Sequence, residues 1–178
     1  MIIKKTTQVG NPVIRARAKV VKDIKSSVVQ KIVKNLIDSM RFHGLVGMAA
    51  PQIGEGLRIF VTEIRPTAYR KDRKTETLRV FINPKIISAS SSTSSGYEGC
   101  GSVAKAGLFG SVKRAKNLVV EAYDENGNKF KLNANGLLAR VVQHENDHIN
   151  GRIFLDRMKN FKTIFEREEY LKYISEKK

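Results

Sequence analysis

A chain of 178 residues with 41% hydrophobic and 28% charged side chains suits one domain around one sizeable core. No apolar run approaches the roughly 20 residues that span a bilayer, and the start MIIKKTTQVGNPV lacks the apolar stretch of a secretory signal. No membrane span or membrane partner is expected, and the cytoplasm is the expected compartment, or an organelle if a presequence was removed. The lone Cys100 permits no internal disulfide, which agrees with a reducing compartment. The net charge of +16 attracts polyanions, the ribosome surface or another RNA among them. The basic residues are spread along the chain, with small clusters at 70–74 and 113–116. No helix-turn-helix, zinc-finger or RNA-binding aromatic motif accompanies them, so charge by itself assigns no function.

The first predicted helix runs from about Ser26 to Arg41, where Val29, Ile32, Val33, Leu36, Ile37 and Met40 recur at helical spacing. Ser26 or Ser27 caps its start and Gly44 follows its end. A glycine- and alanine-rich loop, Gly44 to Gln52, leads to strands at Leu57 to Ile64 and Leu78 to Ile87, joined by a basic loop over Pro66 to Thr77. The serine-rich stretch Ser88 to Gly96 reads as a flexible loop. Leu118 to Tyr123 and Lys129 to Leu132 form a hairpin across Asp124-Glu125-Asn126-Gly127, where Asn126 and Gly127 both tolerate positive φ. A second helix starts near Asn133 or Asn135, carries Leu137, Leu138, Val141 and Val142 towards the core, and stops near Asn150-Gly151. A third, charged helix spans about Asn160 to Lys177, with Phe161, Ile164, Phe165, Leu171 and Ile174 on its apolar side. This order implies an α+β fold with mostly antiparallel sheets around the second helix.

That helix carries Gln143-His144-Glu145-Asn146-Asp147-His148. Residues four apart share a helical face, so His144 and His148 can aim two imidazoles at one ion. Glu145, rotated by about 100°, sits beside the ion, where a proton acceptor for an activated water belongs. Asp147 either orients a ligand histidine or is an exposed carboxylate. A catalytic site of this type needs a third protein ligand and an open position. No histidine lies downstream, and Glu166, Glu168, Glu169 and Glu176 belong to a solvated face. Cys100, between Gly99 and Gly101, is the better donor, because its glycine neighbours allow close approach and a thiolate binds divalent ions strongly.

Three segments together resemble the peptide deformylase family: Gly47-Met48-Ala49-Ala50-Pro51-Gln52, Glu98-Gly99-Cys100-Gly101-Ser102, and the helical string from Gln143 to His148. Gln8 to Arg15 and Gly151 to Arg157 extend the resemblance, which covers about residues 5 to 160. It implies a deformylase-like fold and hydrolysis of the formyl group from the N-terminal formyl-methionine of new polypeptides. It further implies that Cys100, His144 and His148 hold one divalent ion, Fe²⁺ with Zn²⁺, Ni²⁺ or Co²⁺ as substitutes. Such an ion supplies hydroxide at neutral pH. Glu145 is then the base, and Gln52 and the Gly101 backbone N–H stabilise the oxyanion. Val46 and Gly47 pair with an extended substrate, and Val141 lines the methionine pocket. Gln52 read alone only caps a turn. The chain departs from the family pattern at Leu45, usually glycine, at Gly101, usually leucine, and over 104–110, usually shorter and with a proline. These departures motivate a rival expectation, a weak or inactive relative that keeps the fold. A basic ribosome- or RNA-associated module is the third.

Overall fold

The computed structural model describes residues 3–66 and 75–176. The basic cluster at 70–74, most of the loop expected over Pro66 to Thr77, and the end of the last helix at Lys177 lie outside the described residues. A single helical turn, α1 (Pro12–Arg15), opens on Asn11, whose side chain accepts from the Val13 N–H. The long helix α2 (Ser27–Phe42) starts where expected, with the Val29 N–H donated to the Ser26 hydroxyl. It ends before Gly44, whose φ of +65° turns the chain while the Leu45 N–H returns to the Met40 carbonyl.

Five strands, β1 (Gly47–Ala49), β2 (Ile59–Ile64), β3 (Glu76–Ala89), β6 (Asn117–Tyr123) and β7 (Lys129–Asn135), form an antiparallel sheet in the order β1-β2-β3-β6-β7. Three more, β4 (Thr93–Gly99), β5 (Leu108–Ala115) and β8 (Phe165–Glu166), form a second antiparallel sheet in the order β4-β5-β8. Helix α3 (Gly136–His148) follows β7, and α4 (Arg167–Ser175) follows β8.

Strand alternation explains the continuous apolar run of β2. Phe60 and Ile64 point to one side, with Phe81 of β3 and with Leu138, Ala139 and Val142 of α3. Ile59 and Val61 point to the other, with Val80 and Ile82 of β3 and with Val29, Ile32, Val33, Leu36 and Met40 of α2. The five-stranded sheet is thus covered on both faces by a helix, and each fully buried aliphatic side chain there contributes about 1.5–3 kcal/mol. A third cluster, with Ile14, Val112, Ile153, Phe154 and Met158, surrounds Cys100.

Several expectations need correction. The serine-rich stretch is not a flexible loop: it is the end of β3, a tight turn and the start of β4, with Thr93 to Gly99 paired along β5 from Ala115 to Phe109. In the β6–β7 turn only Gly127 takes positive φ, at +83°. Asp124 builds that turn instead, its carboxylate accepting the N–H groups of Asn126 and Asn128. The last helix is shorter than expected. Residues 161–166 form a tight turn and β8, because Phe165 and Glu166 add to the edge of β5 opposite Phe109 and Leu108. Phe161, expected on an apolar face, is 63% exposed. The helix docks instead through Tyr170, stacked on Phe109 at 4.4 Å between ring centroids. Among the described residues, no helix is long and apolar enough to cross a membrane.

Candidate metal centre

Helix α3 turns Leu138, Ala139 and Val142 into the sheet and leaves His144 and His148 side by side at its C-terminal half. Their Nε2 atoms are 3.2 Å apart. The Cys100 Sγ lies 3.2 Å from the His148 Nε2, and all three donor atoms fall within 4.8 Å of one another. A tetrahedral ion with bonds of about 2.0–2.1 Å to nitrogen and 2.3 Å to sulfur would separate its donors by about 3.3–3.6 Å. The two 3.2 Å separations are near that size and the third is at most 4.8 Å, so this donor set fits a divalent metal. The thiol's ionisation is arranged to match: burial opposes it, but His148 and His144 outweigh burial and hold the Cys100 pKa well below the ordinary thiol range.

Cys100 arrives at the end of β4, whose pairing with β5 fixes the approach. Gly99 is needed there, since a Cβ would stand 2.7 Å from the Phe109 ring. Gly101 is tightly flanked for a different reason. It is not at positive φ, but a Cβ would meet the Thr6 Cγ2 at 3.1 Å and the Leu45 Cδ1 at 3.3 Å. Leu45 and Thr6 therefore fill the space beside Gly101, and the two departures from the family pattern face each other.

His144 is oriented by a partner that the sequence reading did not assign, whereas the buried His148 Nδ1 has no hydrogen-bond partner among the described residues. The His144 Nδ1 lies 2.9 Å from a Glu98 oxygen; donating there leaves Nε2 free as a ligand. Glu98 is buried and held by two hydrogen bonds from Arg114, at 2.9 and 3.0 Å, and one from Arg140 at 2.7 Å. Burial pushes the Glu98 pKa up, but the bonds from His144 and Arg114 more than reverse this and hold it well below the carboxylate range. Arg114 also donates to Asp147, which Arg157 engages from the other side. Asp147 thus meets neither expectation. It is buried rather than exposed, and its carboxylate is held by arginines rather than by a ligand histidine. One sequence signal for this network was available: Arg140 interrupts the apolar run Leu137-Leu138-Ala139-Arg140-Val141-Val142, and a cation there needs a buried acid.

Glu145 sits on the floor beside the triangle, 3% exposed, with one carboxylate oxygen unpartnered. Burial pushes its pKa up to about 7, against the opposing pull of His144 and His148. Gly47 lies directly over it: a Cβ on Gly47 would be 2.5 Å from a Glu145 oxygen and 2.8 Å from the Val141 Cγ1. Gln52 does cap a turn, its Oε1 accepting the Ala49 N–H at 2.7 Å, but that bond also turns Nε2 towards Cys100, 3.6 Å from Sγ. Val46 accepts the Glu63 N–H through its carbonyl. Gly47 is therefore at a non-hydrogen-bonded position opposite Thr62, with its N–H and C=O directed to the open edge of β1. The structure thus brings Gln52, Cys100, Gly101, Glu145, His144 and His148 together, with Val46, Gly47 and Val141 forming one adjoining wall.

Comparison with known proteins points to one family. A family model described as Polypeptide deformylase matches residues 3–163. A peptide deformylase of Dictyoglomus thermophilum is 41% identical over 88% of this chain and 93% of its own. A class I type b peptide deformylase from Acinetobacter baumannii, solved with Met-Ala-Ser bound, superposes with a TM-score of 0.83 at 29% identity, covering 88% of this chain and 99% of that one. The peptide deformylase from Thermotoga maritima superposes with a TM-score of 0.80 at 30% identity, over 90% of this chain and all of that one.

Proposed function

The chain belongs to the polypeptide deformylase family, and we propose that it hydrolyses the N-formyl group from the formyl-methionine at the start of newly made polypeptides. The observation that carries this reading is the convergence of Cys100, His144 and His148 next to the buried carboxylate of Glu145. We assign Cys100, His144 and His148 as ligands of one divalent metal. Iron(II) is the proposed native ion by family, and the His₂Cys set also suits zinc. When bound, the ion supplies Lewis acidity and an activated water.

The protein's own groups do the rest. Glu145, whose burial favours holding a proton more than an exposed carboxylate would, accepts the proton of the attacking water and delivers it to the amine as the formyl C–N bond breaks. The products are formate and a free methionyl N-terminus. The Gln52 Nε2 and the Gly101 N–H donate to the carbonyl oxygen as charge develops there, each contributing about 3 kcal/mol to the transition state. Glu98 fixes the tautomer of His144. The open edge at Gly47 pairs with an extended peptide, as Val46 leads into it, and Val141 borders the pocket for the methionine side chain. A formyl carbon bears only hydrogen, so this narrow wall admits it and excludes bulkier acyl groups. The Met-Ala-Ser ligand of the Acinetobacter protein supports a peptide in this cleft. The reading of an inactive relative is not favoured, because Leu45 occupies the space left by Gly101.

The compartment that fits a reduced ligand cysteine is the cytoplasm. The net charge of +16 favours a polyanionic neighbour, and the ribosome surface is where the substrate emerges. Salt-dependent co-sedimentation with ribosomes tests that partner, and indifference to ribosomes at low salt removes it.

The test of function is formate release from an N-formyl-methionyl tripeptide by iron-loaded protein, with the N-acetyl peptide as control. Wild type should release formate only from the formyl peptide. Glu145→Gln should keep its metal and lose at least about 10²-fold in rate. Near-normal turnover by that variant would remove Glu145 as the base.

A further inference from the structure

The N-terminal segment reaches across the molecule to both loops of the centre. The Thr7 N–H donates to the Gln52 carbonyl and the Val9 N–H to the Ser102 carbonyl, both at 2.8 Å. Between them, the Gln8 side chain spans two targets 93 and 97 residues away. Its Nε2 donates to the Gly101 carbonyl at 2.8 Å, and its Oε1 accepts the Lys105 N–H at 2.9 Å. The same Nε2 lies 3.0 Å from the Thr6 hydroxyl and 3.1 Å from the Thr6 carbonyl.

The peptide unit that Gln8 grips has a second end. Its carbonyl belongs to Gly101, and its N–H belongs to Ser102, which donates to the Cys100 Sγ at 3.4 Å. Gripping the carbonyl fixes the rotation of that peptide plane, and so fixes where the N–H points. Gly101 has no side chain to hold the bend, and the chain beyond it is strained. Ala104, Lys105 and Ala106 take φ values of 48°, 52° and 61°, a left-handed run that L residues adopt only when the surroundings impose it. Gln8 holds one end of that run through Lys105. Arg167, the first residue of α4, holds the other through the carbonyls of Lys105 and Ala106.

We propose that Gln8 is a positioning residue for the metal centre: it locks the Gly101–Ser102 peptide so that the Ser102 N–H is aimed at the ligand sulfur. This rests on the assignment of Cys100 as a metal ligand. An N–H donated to a thiolate withdraws electron density from it and fixes its lone pairs, as outer partners of ligands do at other metal sites. Ser102 and Gly101 act through their backbones, so no substitution at either isolates the effect. Gln8 is the side chain through which it can be tested.

Two variants separate the arms. Gln8→Glu keeps an acceptor for Lys105 and removes the donor to Gly101; Gln8→Ala removes both. Each is loaded with Co²⁺, whose thiolate charge-transfer band reports the sulfur ligand directly, and then challenged with excess EDTA. Both variants should shift the band and lose Co²⁺ about 10-fold faster or more. Turnover of a formyl-methionyl peptide should fall in kcat with KM nearly unchanged. Melting temperatures are measured alongside; if Gln8→Ala fails to fold, Gln8→Glu carries the test. An unshifted band with EDTA release within twofold of wild type in a folded variant would overturn the proposal. So would a loss of metal only in proportion to a lowered melting temperature. If wild type releases no formate, the proposed function fails, and the band and release rate still decide the role of Gln8.

Discussion

Replacing Gly47 by alanine tests the geometry of the centre without touching a ligand. Gly47 is not at positive φ, so alanine meets no backbone penalty there. Its methyl would instead sit 2.5 Å from a Glu145 oxygen, 2.9 Å from the carboxyl carbon and 2.8 Å from the Val141 Cγ1. Comfortable contacts are about 3.5–4.0 Å, so these groups must retreat by about 1 Å. Overpacking of this kind costs about 1–3 kcal/mol, and each kcal/mol lowers the melting temperature of a chain this long by about 2–4 °C. A misplacement of about 1 Å at a reacting group costs about 10²-fold in rate. Gly47→Ala should therefore melt a few degrees lower by scanning calorimetry and lose about 10²-fold in kcat on a formyl-methionyl peptide. Adding Val141→Ala removes one of the two obstructions. The double variant should regain melting temperature but not turnover, because the Glu145 carboxylate is still displaced. A Gly47→Ala protein with wild-type melting and turnover within twofold would refute the reasoning. Full recovery of turnover in the double variant would show that Val141, not Glu145, is what Gly47 makes room for.

Gly101→Leu should be destabilised by about 1–3 kcal/mol and slowed, because Leu45 and Thr6 already fill its space. Combining it with Leu45→Gly should recover at least about 1 kcal/mol, measured as a coupling energy in urea unfolding; strictly additive losses would separate the two positions. Arg114→Met should cost about 3–5 kcal/mol in the same assay, since Glu98 and Asp147 are left buried without its guanidinium. A cost under about 1 kcal/mol would mean that Arg140 and Arg157 suffice for the two carboxylates.

Much of this site was legible because its chemistry is local. His144, Glu145 and His148 lie on one turn of a helix, and helical spacing alone puts them together. Cys100 was legible because glycine flanks and a lone thiol mark an approach to something. Helix α2 and the paired strands β2 and β3 carry their apolar period in plain view. What escaped depends on contacts far along the chain. The serine-rich start of β4 has no apolar alternation; it is a strand because β5 supplies the partner hydrogen bonds. Residues 161–166 look helical by composition, yet the edge of β5 captures Phe165 and Glu166. Asp147 was placed on the correct helix but given the wrong company, since Arg114 and Arg157 reach it from elsewhere. Glu98 lies in the Glu-Gly-Cys segment, but its role depends on His144, Arg114 and Arg140, which reach it from distant parts of the chain.

The central claim is that one thiolate and two imidazoles from this chain hold a single ion. X-ray absorption at the metal edge of zinc-loaded protein tests it most directly. The predicted result is one metal per chain with one sulfur at about 2.3 Å and two imidazole nitrogens at about 2.0–2.1 Å, the sulfur vanishing in Cys100→Ala. A shell of nitrogen and oxygen only, or a sulfur shell that survives in Cys100→Ala, would contradict it.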